Sequence, residues 1–237
     1  MKPGEWLSLP AVCEEETLQA LWRWTGENRD LLGGVALGSV GQLGLDWPVP
    51  YGAGPGIPVM NRQAASLLSE EGCAFMTASP ELTAQELKTL LAGGAPVVAT
   101  VYGRTRLMLL HHCPARTAMK LDKGHRDCRM CDEGNPNALK GQFLEDRKGY
   151  RFPLLRQRLP EGCLVQLMNA FPTDNIVNSQ FIIHNSQGRN CDHNGPAGAI
   201  VLTTEDAEET KEVFQAFREG RKTTGKTTAG HWKRPVE

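Results

Sequence analysis

Over its first 112 residues the chain alternates short apolar runs with amphipathic segments, and this alternation restricts the fold more than any other feature. The runs at 6–12, 34–40, 58–60, 74–78 and 96–102 have strand character. Segments 15–24, 62–71 and 82–91 have helical character; in the first, Leu18, Leu21 and Trp22 recur at i, i+3 and i+4. Asn61 stands as N-cap of the second helix and Gly72 closes it. Ser79, Pro80 and Glu81 offer an N-cap with proline at the first helical position of the third, which Gly93 and Gly94 end. Strand, helix, strand at this spacing implies βαβ units and a parallel sheet. In a parallel barrel the chemistry gathers at the C-terminal ends of the strands. Asn61, Ser79, Glu81, Arg104 and Arg106 all fall at or just after such ends. The segment 52–56 carries three glycines but also a proline, opens no helix, and reads as a loop rather than a phosphate cradle.

After residue 113 the alternation stops. Residues 113–141 are polar, 143–155 resemble a hairpin turning at Asp146, Arg147, Lys148 and Gly149, and 162–168 form another strand. A last strand, 199–202, leads into an acidic helix at 205–220, and the basic tail from Arg221 is expected to fray. The expected division is a partial barrel at 1–112, a cysteine-rich segment at 113–170, a strand/helix appendage at 171–220 and a tail at 221–237.

Four cysteines mark the second part: Cys113, Cys128, Cys131 and Cys163, separated by 14, 2 and 31 residues. Four thiolates suit an iron–sulfur cluster or a structural zinc. The cluster is the better fit, because a zinc ribbon normally repeats the close pair and here there is one. The total of seven cysteines is odd and no signal-like start is present, so metal ligation or buried thiols are expected over disulfides. Cys13, Cys73 and Cys191 read as small buried apolar residues, and His111 and His112 as a solvated turn. No apolar run approaches the ~20 residues that cross a bilayer, and a cytoplasmic location is expected. At 40% hydrophobic and 22% charged, the composition excludes a disordered chain.

The net charge of −1 conceals a segregation. Residues 1–103 hold five Lys/Arg against eleven Asp/Glu; residues 104–158 hold thirteen against six, a local net of +7 around the cysteines. A basic surface beside a metal site suits an anionic partner such as RNA, although a solvated face carries the same signature. Glu81 and Arg104 are the candidate catalytic residues, Glu81 as a general acid/base unless it is merely a first-turn carboxylate. Asn61, Ser79, Arg106 and Arg116 are the candidate substrate-binding residues, the arginines holding a phosphate or carboxylate unless they form a salt-bridged rim.

Several stretches resemble one family. They are Val59-Met60-Asn61, the Ser79-to-Leu82 turn, Tyr102-Gly103-Arg104 with Leu107-Met108 before Cys113-Pro114, the Asp146-to-Gly149 turn with Phe152-Pro153, the Cys163 strand through Asn169, and the closing Thr228-to-His231. The chain is similar in these to the collagenase-like peptidase U32 family, which also includes oxygen-independent hydroxylases of tRNA, rRNA and the ubiquinone ring. The resemblance implies an α/β fold, the C-terminal half of a (βα) TIM-like barrel followed by an Fe–S-binding loop and a small α+β appendage. It also implies a [4Fe–4S] cluster on Cys113, Cys128, Cys131 and Cys163, with zinc as the alternative. The family's first half-barrel has no counterpart here, so an N-terminal half or a second chain is expected to cover the open sheet edge. The expected activity is hydroxylation of a tRNA or rRNA base. The alternatives are a peptidase, for which no Gly-x-Ser-x-Gly or His-Glu-x-x-His motif is present, and a non-catalytic Fe–S partner subunit.

Overall fold

The early alternation builds a curled parallel sheet. In the computed structural model, which describes residues 4–120, 142–177 and 197–232, five strands pair in sequence order, each parallel to the last: β1 (Glu5–Ser8), β2 (Leu32–Leu37), β3 (Tyr51–Ala53), β4 (Met76–Thr77) and β5 (Val97–Gly103). Helices α1 (Glu15–Glu27), α2 (Arg62–Glu70) and α3 (Ala84–Leu91) connect them. Val35, Leu37, Ala53, Met76, Val97, Ala99 and Val101 project from alternate strand positions into one core with Leu68, Leu87 and Leu90. Each large apolar side chain buried there contributes about 1.5–3 kcal/mol, which holds the helices on that face. The sheet curls as a half-barrel, a mixed α/β arrangement.

The third strand lies at Tyr51–Ala53 rather than at 58–60, where Val59 makes only an isolated bridge to Ala78. The glycines that read as a loop are there for close backbone approach. A Cβ on Gly54 would meet the Leu37 carbonyl at 2.6 Å, and one on Gly56 would collide with the Gly38 carbonyl. Helix α3 likewise starts later than expected. Its N-cap is Thr83, in a reciprocal capping box with Glu86, while the Ser79 hydroxyl accepts from the Glu81 N–H at 3.2 Å in the preceding turn. Those bonds from Thr83 hold the Glu86 carboxyl below its ordinary value.

A second, antiparallel sheet contains β6 (Arg106–Leu110), β7 (Phe143–Glu145), β8 (Arg151–Leu159) and β9 (Gly162–Met168) in the order β6-β9-β8-β7. The β7–β8 hairpin turns where expected: the Asp146 carboxylate accepts from the N–H groups of Lys148 and Tyr150 at 2.8 and 2.9 Å, and Gly149 takes a φ of 78°. Strand β9 is fastened at both ends. At its start, Glu161 accepts from the Glu14 N–H at 2.8 Å and the Thr17 hydroxyl at 2.6 Å, at the beginning of α1. Past its end, Arg104 donates to the carbonyls of Asn169, at 3.0 Å, and Ala170. Since α1 follows β1 and Arg104 follows β5, the antiparallel sheet spans the C-terminal mouth of the curled sheet from one side to the other.

Short helix α4 (Pro114–Ala118) follows β6, and β10 (Thr173–Asp174) pairs antiparallel with the end of β5. A sixth parallel strand, β11 (Ala197–Val201), pairs β5 and leads into α5 (Ala207–Glu219). Residues 221–232, which follow α5, are anchored rather than frayed. Arg221 binds Glu212 through both terminal nitrogens, Thr223 donates twice to Asp174, and Trp232 is packed into the main core with 8% of its surface exposed. The polar composition misled because the anchors are polar side chains, with one aromatic at the end.

Candidate site at the mouth of the half-barrel

Between the two sheets lies a cavity of about 240 Å³. Thr77 and Thr100 line it from the parallel strands β4 and β5; Arg106, Leu155, Gln166 and Met168 line it from the antiparallel sheet; Thr203 and Trp232 close its sides. Period-two alternation explains the grouping. Leu155 and Gln166 are cross-strand partners, as are Arg106 and Met168, so all four share the face turned toward the mouth. The lining mixes apolar surface with hydroxyl, amide and guanidinium groups, the pattern of a small-molecule or base pocket.

The structure separates the candidate residues. Arg106 lines the cavity, and so does Arg104, whose guanidinium is engaged by the Asn169 and Ala170 carbonyls and, at 3.1 Å, the Thr204 hydroxyl. Glu81 is exposed and outside the cavity lining. Ser79 is buried in its turn, and Asn61 is exposed, its side chain accepting from the Ala64 N–H at 2.9 Å as the N-cap of α2. Arg116 is buried on α4, three residues after Cys113. Gln166, Thr77, Thr100 and Trp232 were not singled out from the sequence, although Gln166 lies within the family-like stretch from Cys163 to Asn169 and Trp232 directly follows the 228–231 motif.

Two of the four ligand candidates are described. Cys113 is 6% exposed and packs with Leu154 and Val165. Cys163 lies two residues before Val165 on β9, hence on the same face, and the pairing of Leu110 with Val165 brings the chain beyond β6 to the Cys163 end of the strand. Both thiols therefore sit at one end of the antiparallel sheet, on the face opposite Gln166. Cys128 and Cys131 lie outside the described residues, as does Cys191. Among the described residues no three His, Cys, Asp or Glu side chains converge as a metal site. His111 and His112 are exposed. Cys73 is buried, and that burial pushes its thiol up; Cys13 is half-buried and is pushed up by burial and by Glu161. Neither thiol is set up as a ready nucleophile.

Beside the cavity, burial raises the Glu205 carboxyl but is outweighed by the N–H groups of Thr203 and Thr204, by its own amide and by Arg104, leaving it below its ordinary value. The Tyr102 hydroxyl donates to Glu205 at 3.3 Å, and burial together with that carboxylate raises its pKa strongly. Tyr102 thus stays a neutral donor, and the pair braces β5 against the start of α5. Among the described residues no helix is long and apolar enough to cross a membrane. Compared with protein-family models, curated proteins and solved structures, the chain matches none.

Proposed function

We propose that this chain is a U32-like, iron–sulfur-dependent enzyme portion that hydroxylates a base of tRNA or rRNA, with the cavity at the mouth of the half-barrel receiving the base. The observation that carries this reading is the placement of Cys113 and Cys163 at one end of the same sheet whose other face lines that cavity. Two buried or half-buried thiols on one face, with a Cys-x-x-Cys pair in the intervening sequence, fit a cluster held by Cys113, Cys128, Cys131 and Cys163. When bound, the cluster supplies one-electron redox chemistry, tuned by burial and by hydrogen bonds to its sulfurs.

The chain's own residues do the rest. At about 240 Å³ the cavity is smaller than the ~300–1,000 Å³ typical of sites for drug-sized ligands, so it suits one heterocycle rather than a whole nucleotide. A base turned out of its stack is read through hydrogen bonds to its edge and held by flanking apolar and aromatic groups. Gln166 and Arg106 supply donors, Gln166 an acceptor as well, and Leu155, Met168 and Trp232 exclude water. Arg104 is a positioning residue that keeps the two sheets in register.

The test is incubation of anaerobically prepared protein, with a reductant and an oxygen donor, with RNA from cells lacking the corresponding gene, followed by nucleoside mass spectrometry. A nucleoside that gains one oxygen only when the protein is present supports the reading. Release of peptides from gelatin with no change in RNA would replace it by the peptidase alternative. Neither change would leave a non-catalytic partner subunit.

A further inference from the structure

The β7–β8 hairpin projects beyond the cavity and carries features that the cavity does not use. Phe143 and Tyr150 are 43% and 45% exposed. The Arg151 guanidinium lies 4.5 Å from the centre of the Phe143 ring and donates to the Glu145 carboxylate at 3.0 Å, and Tyr150 meets Phe171 edge-on at 5.8 Å. Arg147 and Lys148 stand exposed at the turn. Large exposed aromatics interleaved with cations are costly for a solvated turn, and they are the composition of a stacking platform for single-stranded nucleic acid.

Register connects this platform to the cavity. Phe143 pairs with Pro153 and Glu145 with Arg151 across the hairpin, and Leu155, two positions past Pro153, lines the cavity. Alternation puts Phe143, Arg151, Pro153 and Leu155 on one face. From Leu155 to Arg151 the strand covers about 14 Å at its ~3.4 Å rise, room for about four bases stacked at ~3.4 Å each. Charge favours the same occupant: Arg147 and Lys148 stand exposed at the turn, whereas the first turn of α5 on the other side of Arg104 is acidic. A peptide adding to the edge of β7 would find only three residues of strand.

We propose that this hairpin is the docking surface for a single-stranded stretch of RNA, with Phe143 stacking a base and Arg147 and Lys148 meeting phosphates, so that a neighbouring nucleotide reaches the cavity. The proposal rests on the reading of RNA as substrate. The test is fluorescence anisotropy of the full chain with a fluorescein-labelled single-stranded RNA of about ten nucleotides, inside the ~4–16 range of single-strand sites. Phe143→Ala should weaken binding roughly five- to hundredfold. The ring-keeping change Phe143→Tyr should bind as the parent does, which separates stacking from misfolding. Arg147→Ala with Lys148→Ala should lower the slope of log affinity against log salt by about 1.4, at ~0.7 per single-strand phosphate. Lys211→Ala with Arg218→Ala, the same charge change on α5, should leave the slope as it is. Binding by all hairpin variants equal to the parent overturns the docking surface, while RNA as substrate survives. No salt-dependent binding by the parent chain overturns both.

Discussion

The Arg104 guanidinium donates to the Asn169 carbonyl at 3.0 Å, fastening the end of β5 to the residue that follows β9. One side chain thereby couples the parallel sheet to the sheet that covers its mouth. Arg104→Ala leaves two carbonyls without their charged donor and should cost about 2 kcal/mol of stability, read as a lower urea midpoint. Arg104→Lys, lacking the planar fork, should recover only part of it.

The glycines after β3 give a sharper contrast. Gly56→Ala places a methyl group against the Gly38 carbonyl and should destabilise by about 1–3 kcal/mol or more. Gly41→Ala and Gly44→Ala, where nothing lies within 4 Å of the added carbon, should stay within about 0.5 kcal/mol of the parent. Thermal melts of the three variants decide this.

These glycines also show where the sequence was legible. Helices α1 and α2 and the hairpin turn at Asp146 follow from local periodicity and from a cap or turn residue, and all three sit where that pattern put them. Strand β3 was missed because Gly52 and Gly54 give no apolar alternation; their role is set by Phe75 and by Leu37, residues far away in sequence. The cavity was half legible. Arg106 lies where strand-end reasoning put it, but Gln166 and Leu155 reach the site through an antiparallel sheet whose docking across the mouth depends on Arg104 and Glu161, contacts that no local pattern encodes.

The segment after α5 should be acid-sensitive. Its anchor Glu212, hydrogen-bonded by Arg221 and by the Thr224 N–H, has its carboxyl lowered to about 2. A carboxylate depressed in the folded state below its ordinary ~4.3 stabilises fully above that value, and the contribution is lost as pH falls toward 2. The melting temperature should therefore drop over this window, and Glu212→Gln should flatten that part of the curve while lowering the plateau near neutrality. Equal acid limbs for both proteins would remove Glu212 as the anchor.

The cysteines are expected to divide into two sets. Cys113→Ser, Cys128→Ser, Cys131→Ser and Cys163→Ser should each strip bound metal, whereas Cys13→Ser and Cys73→Ser should retain it. Metal analysis after gel filtration distinguishes the sets. Loss of metal in the Cys13 variant would move that half-buried thiol, beside Glu161, into the ligand group.

The most direct measurement is purification without oxygen, followed by a visible spectrum and an iron and acid-labile sulfide assay on the same sample. The expected result is a brown protein with broad absorbance near ~400 nm and about four irons and four sulfides per chain, the content of one [4Fe–4S] cluster. A colourless protein with stoichiometric zinc would contradict it.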